Sequence, residues 1–237
     1  MGKHTQFNHH MKLTSFLLLT GLLLSGYSYA QVNGNYNYSL ALRGFSILQA
    51  PKIFNQNSET YVNNTITGGM IKFNDNQVSY RVSGNYLKKS LSFNNTCMNC
   101  ELAHGRVKDY AFKIGMEKNF NYARIQPYFA IDIGYRFNQF KGLLNTVNYQ
   151  QSITSVHALE DTKSGGTASS VIGFKINPVN QVSLFIESGI EFYYAYIRQE
   201  TTSQDASAIR SQNKFNRGEF LLNPISAGIQ IHLGNKN

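Results

Sequence analysis

The sequence predicts an all-β fold: an eight-stranded antiparallel up-and-down transmembrane β-barrel with a cleavable N-terminal signal peptide. Three observations predict it. Between residues 77 and 233, stretches of apolar/polar alternation recur, and no helical stripe fits them. The connectors between these stretches are alternately short and long. Glycines inside the stretches fall on the polar face rather than the apolar one.

The first element is the leader. Lys12 precedes an apolar run from Leu13 to Leu24, and Ser28-Tyr29-Ala30 puts small residues where a signal peptidase cuts. The run is too short for a spanning helix. Met1 and Met11 both stand as starts, since His4, His9 and His10 make a poor charged n-region. Residues 1–30 are therefore assigned to the signal peptide and 31–237 to one barrel domain, because nothing in the composition suggests a linker. Without the leader the chain holds 20 basic and 13 acidic residues, a net +7. The bases are scattered, with no Lys/Arg run longer than Lys88-Lys89, so an exported chain of this kind is expected to meet anionic headgroups rather than nucleic acid.

Eight strands are expected at about 36–48, 66–73, 77–88, 107–118, 123–138, 166–176, 181–198 and 218–233. The fifth carries Ile125, Pro127, Phe129, Ile131, Ile133, Tyr135 and Phe137 on one face, because side chains two apart share a sheet face. Its other face carries Gln126, Tyr128, Ala130, Asp132, Gly134 and Arg136. The seventh sets Leu184, Ile186, Ile190, Phe192, Tyr194 and Tyr196 against Ser183, Glu187, Gly189, Glu191 and Tyr193. Turns are expected at 74–76, 119–122 and 177–180, which are rich in Asn, Asp and Pro. Long polar loops are expected at 49–65, 89–106, 139–165 and 199–217, all at the other end of the barrel. The 66–73 strand is short for a bilayer crossing of about nine to eleven residues.

Alternation alone does not say which face points inward. Gly115, Gly134, Gly173, Gly189 and Gly228 decide it, with Gly84 the exception. The five share the polar stripe, where the crowded inside of an eight-stranded barrel has little room for side chains. The apolar stripe then faces lipid, with aromatics near its ends: Tyr110, Tyr135, Phe137, Tyr194 and Tyr196 toward the loops, Phe73 and Phe174 toward the turns. The polar stripe carries Arg81, Lys113, Glu117, Asp132, Arg136, Glu187 and Glu191, both signs at similar heights, and is expected to form a lumen charge network.

The leader, the strands QPYFAIDIGYRF and SLFIESGIEFYY, and the last strand PISAGIQIHLG resemble the small outer-membrane β-barrel proteins of Gram-negative bacteria, the OmpA/OmpX-like class. That resemblance is one of architecture. It implies location in the bacterial outer membrane. Members usually end in an aromatic residue, whereas this sequence ends Leu233-Gly234-Asn235-Lys236-Asn237.

Candidate functional groups are few. Cys97 and Cys100, in an oxidising compartment, are a disulfide candidate. His104 adds a third donor in a loop, a sparse set for a metal, and no cofactor is expected. Lys88, Lys89, Arg106, Lys108, Lys141 and Arg198 lie near the loop rim as candidate headgroup contacts. His232 is read as the sole strand histidine, with His104 and His157 in loops, and no nucleophile–base pair is positioned for catalysis. The expected function is non-enzymatic: a monomeric outer-membrane protein presenting long loops to lipopolysaccharide, a surface or a protein partner. Alternatives are a soluble lipocalin-like carrier, which reverses the faces, a narrow pore, and a lipid-modifying barrel enzyme.

Overall fold

The computed structural model describes residues 36–54, 60–63, 65–94, 101–147, 153–204 and 209–235; the leader and the Cys97/Cys100 pair lie outside them. Every element in those residues is a strand: β1 (Tyr36–Gln49), β2 (Thr60–Asn63), β3 (Gly68–Asp75), β4 (Val78–Asn94), β5 (Glu101–Asn119), β6 (Ile125–Val147), β7 (Ile153–Val179), β8 (Val182–Ser203) and β9 (Arg210–Asn235). Each strand from β3 to β9 pairs antiparallel with the next, and β9 returns to β1 through pairs such as Leu40↔Ile231 and Ile47↔Ile225. The sheet is closed on itself, which leaves no edge along the circuit.

Nine strands replace the eight expected, for a local reason. β2 and β3 both pair antiparallel with the same side of β1, at Ser46↔Asn63 and Arg43↔Gly68. Between those pairs β1 advances three residues while the opposing chain advances five, so two extra residues interrupt one descending strand. Thr67 holds the interruption in the wall, its N–H donating to the Arg43 carbonyl at 3.1 Å and its carbonyl accepting from the Tyr86 N–H at 2.8 Å. The short strand expected at 66–73 is the lower half of this broken one.

The turns fall where expected, at 76–77, 120–124 and 180–181, with Asn76 in the left-handed region at φ 52°. All four expected long loops are corrected: 49–65 contains β2, and the other three are shortened by longer strands. β4 and β5 run to Asn94 and from Glu101, β6 and β7 to Val147 and from Ile153, and β8 and β9 to Ser203 and from Arg210. Strands of 22 to 27 residues in β6–β9 are about twice what a bilayer crossing needs. His104 and His157 accordingly lie in β5 and β7, not in loops, and His232 is one of three strand histidines among the described residues.

Alternation assigns the faces as the glycines indicated. Ile131, Ile133, Ile172, Ile186 and Ile229 point outward, each about half exposed, while their neighbours Asp132, Glu187 and Gln230 are buried inside. A Cβ at Gly134 would collide with the Phe112 carbonyl, and one at Gly228 with the Leu42 carbonyl and the Phe185 ring. Gly84 faces outward, and a Cβ there would meet nothing within 4 Å.

Nearer the loops the assignment reverses. Leu91, Val107, Phe140 and Leu159 are buried inside, while Lys88, Arg106 and Lys141 face out. The reversal follows the row Tyr86, Tyr110 and Phe137 across β4–β6, the first two rings stacked with centroids 5.2 Å apart and the second pair tilted at 5.9 Å. Two registers of polarity therefore share one continuous wall.

Gly134→Val should cost at least about 1–3 kcal/mol through overpacking against backbone, and Gly84→Ala should stay within about 0.5 kcal/mol. The folded fraction after refolding, read from the heat-modifiable shift on gels, checks both.

Candidate functional site: the lumen and the outer basic surface

Period-two geometry delivers all seven expected lumen charges to the interior. Arg81, Lys113, Glu117, Asp132, Arg136, Glu187 and Glu191 are each less than a tenth exposed. Near the turns, Glu117 accepts from Lys72 at 2.6 Å and from Lys175, while Arg81 lies 3.6 Å away. Arg81 donates to Asp132, through Nε at 2.6 Å, and approaches Glu187 at 3.5 Å. Glu187 also takes Arg43 and the Tyr128 hydroxyl at 3.1 Å. Farther up, Arg136 bridges Asp109 at 3.0 Å and Glu191 at 2.6 Å, and Glu191 binds Lys113.

Arg43, Lys72, Asp109, Lys163, Lys175 and Glu219 belong to the same interior and were missed from sequence. The signal was present, since Lys72, Asp109 and Lys175 continue the polar stripes of their strands at even spacing. Among the described residues buried bases number six and acids seven, and the partly buried Arg43 brings the sum to neutrality. Two rings fill the axis between them. Tyr128 sits under Lys175 and Lys72, with Nζ 4.9 Å and 5.5 Å from its centroid, and Tyr193 lies 5.8 Å from the Arg136 guanidinium.

The lumen is stopped at both ends. At the turns, His232 joins Ser39 through Nδ1 at 3.0 Å and Ser183 through Nε2 at 2.6 Å, which ties β1, β8 and β9 together. Ser183 also bonds Asn177, and among the described residues no carboxylate bonds the ring, so these side chains form a polar cap at the turn end. At the loop end, residues 50–54 turn into the barrel mouth. The Lys52 N–H donates to Glu219 at 3.0 Å, the Phe54 N–H to Asp161 at 2.9 Å, and Lys163 reaches the Lys52 carbonyl. Ala50 and Ile53 pack there with Tyr61, Leu91, Val107, Phe140 and Leu159. Between plug and network remains a space of about 90 Å³ beside Ser46, Thr67 and Ser226.

The six expected headgroup contacts separate. Lys88, Arg106, Lys108 and Lys141 share the outer face of β4–β6. Lys89 does not join them: its Nζ bonds the Val62 carbonyl at 3.3 Å and lies 5.3 Å over the Tyr61 ring. Arg198 is engaged elsewhere, pairing with Glu200, whose carboxyl is held down to about 2 by hydrogen bonds from Arg210, Arg198 and Gln212.

Taken together these features define a closed antiparallel sheet with an ion-paired, stoppered interior and an apolar exterior band. No protein-family model and no curated protein matches the chain. Among solved structures it is similar to a major outer membrane protein from Thermus thermophilus, at 10% identity over 83% of this chain and 99% of that one, with a TM-score of 0.48.

Arg136→Ala leaves Asp109 and Glu191 short of their shared cation inside the barrel, and should cost about 3–5 kcal/mol. The urea unfolding midpoint of refolded protein measures it; a midpoint equal to wild type would rule out the pairing.

Proposed function

We propose that this chain is an exported outer-membrane β-barrel that spans the bilayer as a monomer and works without catalysis, offering its loop-side extension to lipopolysaccharide or a protein partner. The reversal of polarity across the aromatic row carries this reading. Below that row the wall presents Ile, Leu, Phe and Tyr side chains outward and buries its charges, as hydrocarbon demands. Above it, on β4–β7, the wall presents Lys88, Arg106, Lys141 and Glu160 outward and buries Leu91, Val107, Phe140 and Leu159, as water demands. A wall surrounded wholly by water has no reason to change over at a row of aromatic rings, whereas such rings settle at headgroup depth. Closure of the sheet supports the same reading, because hydrocarbon tolerates no unpaired strand edge.

The soluble carrier needs an apolar cavity, and the half-exposed isoleucines stand on the opposite face from the one it requires. A pore needs a continuous passage, and salt bridges, Tyr128 and residues 50–54 occupy the axis. What remains for function is the outer surface and the strand extension beyond the aromatic row.

Fractionation of cells producing the full chain tests the reading. The protein should stay with membranes through a carbonate wash and enter the supernatant only with detergent; recovery in the soluble periplasmic fraction would overturn it. In planar bilayers the wild-type protein should be electrically silent. Replacing residues 51–54 with Gly-Ser-Gly-Ser should introduce conductance if residues 50–54 are the stopper.

A further inference from the structure

We infer that the outer face of β4–β6, just beyond the aromatic row, is a binding site for the phosphate groups of an outer-leaflet glycolipid. This rests on the membrane reading above, which sets the depth of the site. Strand register places the residues. Two positions along from Tyr86, Tyr110 and Phe137, the outward side chains are Lys88, Lys108 and Gln139; two further along they are Ser90, Arg106 and Lys141. Lys88 thus lies directly opposite Lys108, and Arg106 directly opposite Lys141. Like charges in direct cross-strand positions, with Cβ atoms about 5 Å apart, destabilise a sheet.

Nothing described on that face relieves them in full. Glu160 is the sole acid there among the described residues; it meets Lys141 at 3.0 Å and accepts from Gln139 at 2.8 Å. Lys88, Arg106 and Lys108 have no acidic partner among the described residues. This contrasts with the buried bases of the same wall, Arg81, Lys113 and Arg136, each of which meets a carboxylate. Two repelling pairs side by side are the arrangement expected when the missing counter-charge arrives from outside the chain.

The surface is also shaped. A concavity of about 520 Å³ opens between His104, Arg106, Lys108 and Lys141. Its floor is bare backbone at Gly105 and Gly142, which are direct cross-strand partners and against which Phe140 packs from the lumen side. That volume exceeds one phosphate and suits a phosphorylated sugar. Guanidinium and ammonium donors bind phosphate oxygens by charge-assisted hydrogen bonds. Adjacency to the tyrosine row places the cluster at headgroup level, so the phosphate is taken from a lipid rather than from solution.

The test uses the full-length barrel in neutral detergent with two probes, diphosphorylated lipid A and its dephosphorylated form, plus inorganic phosphate. Native mass spectrometry and the thermal midpoint report binding. Wild type should retain diphosphorylated lipid A and gain thermal stability from it, with little response to the dephosphorylated lipid. Arg106→Gln with Lys108→Gln should weaken retention about tenfold or more, and Lys118→Gln, outward at the turn end, should leave it unchanged. Because the double variant relieves repulsion, its lipid-free midpoint should equal or exceed that of wild type.

Equal binding of both lipids, equal binding by the double variant, or stabilisation by inorganic phosphate matching that by the lipid would each overturn the proposal. Fractionating the same variants separates the two levels. A double variant that remains membrane-integral yet binds as wild type sinks the lipid site alone, whereas a soluble wild-type protein sinks the membrane reading.

Discussion

In a strand both faces are set at once: if Ile131 and Ile133 point outward, Asp132 must point inward, and closure of β1 onto β9 extends that choice around the whole wall. An apolar exterior therefore forces polar side chains into a confined interior. Carboxylates there survive only with cations in reach, because a lone buried charge is far more costly than a paired one. Glu117 between Lys72, Lys175 and Arg81, and Arg136 between Asp109 and Glu191, are what that constraint requires. The network is the condition for an apolar exterior, and the packed rings of Tyr128 and Tyr193 fill the space the ion pairs leave.

The same wall meets the opposite constraint above the tyrosine row. Phe140, Val107 and Leu159 turn inward there, and residues 50–54 complete their packing from the mouth. Backbone groups of that inserted segment find Glu219, Asp161 and Lys163, so it is held by directional bonds as well as by apolar contact. The strands continue past the aromatic row, so the outward side chains of Arg106 and Lys141 have fixed cross-strand neighbours.

Sequence alternation made the faces, the turns and the core of the charge network legible, because each depends on spacing within one strand. Lys72, Asp109 and Lys175 were equally legible in principle, lying on the same stripes. The extensions of β4–β9 were not, since in them the polar residues sit outside and Phe140 or Leu159 inside, so a reading that equates the apolar face with the exterior sees the pattern dissolve into loop. Nor was the break between β2 and β3 legible, since two inserted residues shift register without altering composition. Which rim bases act together depends on cross-strand register, and that separated Lys89 and Arg198 from the cluster formed by Lys88, Arg106, Lys108 and Lys141.

The chain contains no tryptophan, so a single introduced indole reports on one position without background. Ile133→Trp, outward at mid-wall, and Leu143→Trp, outward beyond the tyrosine row, would be reconstituted in bilayers of lipids brominated at mid-chain. Strong quenching and blue-shifted emission at position 133, with little quenching at 143, is the result this account predicts. Unquenched, water-like emission from position 133 would contradict it.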